Sequence, residues 1–176
     1  ETFVCINGRT ESVFLASAFY LECLHIMAET ARLLGDQAEN EYRAKYQITL
    51  GRLRAEYITP NGRVAVDTMT AQALALCFGI VPAENAKNSA KVLSDNARAH
   101  SYKVTTGFAG TPYLLFALAD NGFIETAFKI LLNGSFPGWL YEVDMGATTI
   151  WERWDSLLPD GTPNPDGMNS YNHYAY

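Results

Sequence analysis

The feature that most constrains this chain is an alternation between two kinds of segment. One kind is apolar on nearly every side; the other carries a single apolar stripe; short turns separate them. Residues 12–34 hold Val13, Phe14, Leu15, Ala16, Ala18, Phe19, Tyr20, Leu21 and Leu24, apolar almost all round. Residues 36–58 show one stripe, Tyr42, Tyr46, Leu50, Leu53 and Tyr57, with Glu41, Arg43, Lys45, Arg52 and Arg54 between. That spacing predicts an amphipathic helix. Gly35 suits the left-handed end of the preceding helix, and Asp36 the N-cap of this one. Residues 71–79 are short and apolar. Residues 82–99 carry a small-residue face (Ala86, Ala90, Leu93, Ala97), with Pro82 placed as a first helical residue. Thr111-Pro112 opens another apolar segment that Asn121-Gly122 stops, and residues 123–133 are amphipathic again.

A helix that is apolar all round is buried on more than one side, and short connections make consecutive helices neighbours. A toroid of helical hairpins with inner and outer layers meets both conditions, whereas a four-helix bundle would expose one face of every helix. The fold class expected is therefore mainly α.

After residue 135 the character changes. Residues 136–143 read as a loop entering a short strand, and Ala147 to Asp155, rich in β-branched and aromatic residues, as a second one. Together they predict a short β-hairpin near the C-terminal end. Five Pro and Gly residues between 156 and 167 mark a loop, and residues 168–176 read as the approach to a helix. The chain is expected to be a single partial domain, residues 1–176, cut at both ends. No leader pattern opens it, which leaves a cytoplasmic or an exported parent equally open.

Composition removes several functions. Thirteen Lys and Arg against nineteen Asp and Glu give a net charge of −6, which disfavours nucleic acid and anionic membranes as partners. Apolar runs broken within about ten positions predict no membrane span. Cys5, Cys23 and Cys77 have neither metal nor disulfide spacing and read as buried free thiols. His25 and His100 have no second ligand at metal spacing, so no metal is expected. Gly107 to Thr111 lacks the Gly-Lys-Ser/Thr of a phosphate loop, and no cofactor is expected.

The unusual segment is Thr148 to Asp155. Glu152 lies between Trp151 and Trp154, beside Arg153, with Asp155 following. A carboxylate among indoles is poorly solvated, which raises its pKa. Aromatic faces beside carboxylates also hold sugar rings. The residues alone leave open a structural Glu152–Arg153 pair, and a structural role for His173 between Asn172 and Tyr174.

Four ordered motifs carry a resemblance: Thr106–Leu115, Phe136–Tyr141, Gly146–Asp155 and Met168–Tyr176. In order and spacing they are similar to the catalytic domain of bacterial α-L-rhamnosidases of glycoside hydrolase family 78, from about residue 12 onward. The resemblance implies the second part of an (α/α)6 barrel and an inverting hydrolysis of terminal α-L-rhamnose from a rhamnose-containing glycoside or polysaccharide. It implies Glu152 as the general base, His173 as a sugar-hydroxyl contact and Trp139 as a pocket wall. Trp151, Trp154 and Tyr113 line the pocket or support the base, and Arg153 and Asp155 stand behind it by position. The family's acidic, Arg-containing general-acid motif has no counterpart in these residues. The other half of the barrel and a β-sandwich are therefore expected as partners, and the chain alone is expected to be inactive. Another inverting α/α-barrel glycosidase and a non-catalytic carbohydrate-binding remnant are the alternatives.

Overall fold

The computed structural model describes residues 9–166 and 169–173. Seven α-helices follow one another: α1 (Ser12–Leu34), α2 (Glu39–Tyr57), α3 (Met69–Cys77), α4 (Ala86–Ala99), α5 (Thr111–Ala119), α6 (Ile124–Leu131) and α7 (Trp139–Asp144). A 3-10 turn, Ala83–Asn85, leads into α4 behind Pro82.

The core has two halves that meet at α3. Ala71, Leu74 and Ala75 of α3 join Phe14, Ala18 and Leu21 of α1 and Leu50 and Leu53 of α2. Met69 and Ala73, on the other side of α3, join Leu93 and Ala97 of α4, Leu114 and Leu118 of α5, and Ile130 of α6. Every residue from Met69 to Ala75 is buried, so the all-round apolar pattern here has the expected cause. Burial of each large aliphatic side chain contributes about 1.5–3 kcal/mol, and α3 collects such contacts on both flanks.

Local signals set the helix ends. Gly35 takes a left-handed conformation (φ 68°), and Asp36 N–H reaches the Ala31 carbonyl at 2.9 Å, which closes α1 as its sequence predicts. Asp36 does not cap α2 directly; its carboxylate accepts from Ala38 N–H at 2.9 Å in the turn before Glu39. The Thr68 hydroxyl accepts from Ala71 N–H at 3.2 Å and caps α3.

Four expectations need correction. Helix α1 buries one stripe only (Phe14, Ala18, Leu21, Leu24, Ala28, Ala31). Val13, Ile26, Leu33 and Leu34 are exposed on its other sides. By length and composition α1 is also apolar enough to cross a membrane, contrary to the reading of broken runs; its stripe packs on α2 and α3. Cys23 and Cys77 are exposed rather than buried, and Cys5 lies outside the described residues. The Cys77 thiol donates to the Tyr113 carbonyl, and partial burial pushes it up to about 11.

The predicted β-hairpin is the fourth correction. Residues 139–144 form α7, and no strand is found among the described residues. Aromatic and β-branched residues favour strands because they pack well on a half-buried surface. Here Trp139 and Tyr141 find that packing from a helix instead. Residues 169–173, expected to approach a helix, are irregular, and the remainder of that motif lies outside the described residues.

Gly110, the N-cap of α5, lies against α3. A Cβ there would sit 2.5 Å from Thr70 Oγ1 and 2.9 Å from Thr70 Cβ. Thr70 is buried and β-branched, with little room to turn. Gly110→Ala is therefore expected to cost about 1–3 kcal/mol, read as a lowered Tm in thermal unfolding. An unchanged Tm would show that α3 and α5 separate without strain.

Candidate active site

The site is assembled from the loop after α7, the segment before α5, and residues 169–173. The loop does not form a ladder, yet its backbone is tied. Glu152 N–H donates to the Ser170 carbonyl at 2.8 Å, and His173 N–H donates to the Ile150 carbonyl at 2.8 Å. The Glu152 carboxylate in turn accepts from Ser170 N–H at 2.8 Å. These bonds hold the half-buried Glu152 and His173 in one small region.

The tryptophans divide in role. Trp151 is buried and meets the Tyr171 ring edge-on at 5.7 Å. Trp139 and Trp154 meet edge-on at 5.2 Å. The Trp154 indole N–H donates to the Thr106 carbonyl at 3.0 Å and so fixes the loop to the segment before α5. Arg153 grips Asp155 with two bonds, at 2.9 and 3.1 Å, and donates to the Asp166 carbonyl at 2.6 Å. That fork braces the loop from residue 153 to 166.

Tyr113 stands apart from these contacts. Its ring packs edge-on against Phe78 at 4.9 Å and near Phe19 at 6.2 Å. Trp139 also lines an apolar cleft of about 390 Å3 between α5 and α6, with Phe116, Phe128 and Ile150. No residue lining that cleft carries a carboxylate.

Two residues at the site escaped the sequence reading. Phe108, exposed in the glycine-containing segment, lies 6.3 Å from the His173 ring. A helix-start signal accounted for that segment and hid its aromatic. Glu142 is the other. It is 3% exposed, and burial pushes its carboxyl up to about 7, opposed by the Trp151 N–H that it accepts at 3.4 Å. The only hint of it was a lone Glu inside an aromatic run. No group of three or more metal-ligating side chains occurs among the described residues.

Residues 4–176 match the family model of the bacterial alpha-L-rhamnosidase 6 hairpin glycosidase domain. The chain belongs to that family. It is 37% identical to an alpha-L-rhamnosidase of Streptomyces avermitilis over 97% of this chain and 16% of that protein. An alpha-L-rhamnosidase of Formosa agariphila is 36% identical over 97% of this chain and 19% of its own length. The fold matches the native α-L-rhamnosidase of Aspergillus terreus with a TM-score of 0.85 and 38% identity, over 90% of this chain and 18% of that one. It matches the Streptomyces avermitilis enzyme complexed with L-rhamnose with a TM-score of 0.85 and 37% identity, over 92% and 16%. The rhamnosidase-family chain thus spans less than a fifth of the curated relatives it matches.

Glu142 gives this rhamnosidase-family domain a pH signature. Its folded pKa of about 7 lies above the ordinary 4.5. The folded state then holds a proton that the unfolded state releases between those values. The stability tied to that proton is complete below pH 4.5 and is lost as pH rises through 7, a change of about 3 kcal/mol. Glu142→Gln, which cannot titrate, is expected to flatten that decline in denaturant melts across pH 4.5–8. An equal slope in both proteins would place the titration elsewhere.

Proposed function

We propose that this chain is part of the catalytic (α/α)6 barrel of an inverting α-L-rhamnosidase, with Glu152 as the general base. The observation that carries the reading is the setting of Glu152. It is a half-exposed carboxylate on a loop tied at Ile150, Glu152 and Arg153, in the same tied region as His173 and next in sequence to the buried Trp151. Family membership and the likeness to a structure complexed with L-rhamnose support rhamnose as the sugar.

In this reading Glu152 takes a proton from water. The water oxygen attacks the anomeric carbon from the face opposite the aglycone, and the glycosidic C–O bond breaks as a carboxylic acid protonates the departing oxygen. That acid lies outside these residues. His173 and the nearby aromatic rings hold the sugar, and Trp139 forms part of the wall. Arg153 and Asp155 keep the loop in shape. The substrate is a terminal α-L-rhamnose on a glycoside or polysaccharide, with no cofactor required.

Exposed apolar residues agree with a barrel that other helices complete. Phe116, Ile124, Phe128 and Leu132 on and just after α5 and α6, and Val13, Ile26 and Leu34 on α1, are all more than half exposed. Apolar surface of this extent favours association. The 176-residue chain alone is expected to elute as oligomers on size-exclusion chromatography at high concentration; a sharp monomer peak would count against a missing barrel partner.

The enzymatic test uses the longer protein that carries this domain and p-nitrophenyl α-L-rhamnoside. Wild type is expected to hydrolyse it, and Glu152→Gln to lower kcat by about 10²–10⁴-fold with little change in fold. The 176-residue chain alone is expected to show no turnover. A well-folded but inactive parent would point to another sugar or to a binding domain without catalysis.

A further inference from the structure

Residues 147–151 form the turn from which Glu152 projects, and Glu142 holds both ends of that turn. Its backbone carbonyl accepts from Ala147 N–H at 2.9 Å. Its side-chain Oε2 accepts from Trp151 N–H at 3.4 Å. The anchor itself is fixed: Glu142 sits on α7, is 3% exposed, and follows the buried Tyr141, whose hydroxyl donates to the Leu157 carbonyl at 2.9 Å. Its Oε1 is buried and makes no hydrogen bond among the described residues. Burying such an oxygen is costly, so a glutamate here is a poor choice for stability alone.

We propose that Glu142 is a positioning residue for Glu152, its buried carboxyl holding the Trp151 N–H and with it the backbone that aims the base. The inference rests on the reading of Glu152 as general base. It assigns Glu142 no contact with substrate. Ser170 grips Glu152 from one side through two bonds, and Glu142 fixes the residue before it from the other. A displacement of the loop by about 1 Å would move the carboxylate off the attacking water, and misplacement of that size can cost about 100-fold in rate.

The experiment measures kcat and KM on p-nitrophenyl α-L-rhamnoside with the full-length protein. It compares Glu142→Gln, Glu142→Asp, Glu152→Gln and the double variant Glu142→Asp/Glu152→Gln. Glu142→Gln keeps an acceptor at the same reach and is expected to stay within about threefold of wild type. Glu142→Asp retracts the acceptor by one methylene and is expected to lower kcat by about 10- to 100-fold, with KM within about twofold. Both substitutions are conservative, so the contrast between them does not depend on tolerance of a large cavity.

The double variant is expected to lose no more kcat than Glu152→Gln alone, because a residue that acts through the base has nothing left to position. Additive losses would overturn the proposal, as would an Asp variant equal to wild type or a Gln variant as impaired as the Asp one. Should Glu152→Gln itself retain full activity, the assignment of the base fails instead. The two failures are therefore distinguishable.

Discussion

Trp154 is the contact on which the site depends. The loop after α7 has no regular secondary structure to carry its shape, so its position is set by a few long-range contacts. The Trp154 ring lies edge-on against Trp139 at the start of α7. Its N–H reaches the carbonyl of Thr106, a buried residue just before α5. One side chain therefore joins the loop, α7 and the segment that ends at Phe108. A second link runs from Phe108 to the His173 ring and from the His173 N–H to the Ile150 carbonyl, two residues before Glu152. Indole suits this task because a large apolar body and one directed donor leave the same residue.

Within the loop, polar groups substitute for a ladder. Ser156 is fully buried, and its hydroxyl donates to the Arg153 carbonyl at 2.7 Å and lies 2.9 Å from the side-chain amide of Asn169. Its own carbonyl receives the Tyr171 hydroxyl at 3.1 Å and Asn164 N–H at 3.0 Å. Buried backbone groups require partners, and here the partners come from three separate stretches. The result is a loop tied at several points without a ladder, with side chains in directions that a strand does not allow.

The helical part of the molecule was legible in the sequence because its signals are local. Gly35, Pro82, Thr111-Pro112 and Asn121-Gly122 mark boundaries that the backbone honours to within a few residues. The stripe from Tyr42 to Tyr57 turns inward with Leu50 and Leu53 buried. At the site, Trp139 and Trp154 do come together, and Glu152 and His173 are joined through neighbouring backbone. What the sequence hid is non-local. Nothing near Glu142 announces that its carboxyl meets a backbone N–H nine residues on. Nothing near Phe108 announces a histidine 65 positions away. The exposed flanks of α1 were misread for a related reason: apolar composition reports the need for a neighbour, not which chain segment supplies it.

The failure of the predicted strand at 147–155 has a cause that is itself periodic. Successive side chains of a strand point to opposite faces, so residues an odd number apart cannot share one. Trp151 and Trp154 are three apart, and both turn into the protein, one onto Tyr171 and the other onto Trp139. A regular strand would have turned these two indoles to opposite faces. Burying a side chain of that size outweighs a few ladder bonds, particularly when Glu142 and Ser170 accept the Trp151 and Glu152 N–H groups that a ladder would have used. The backbone therefore abandons its period between the two tryptophans. Glu152, the residue at that break, is left half exposed while both of its large neighbours are tied into the protein.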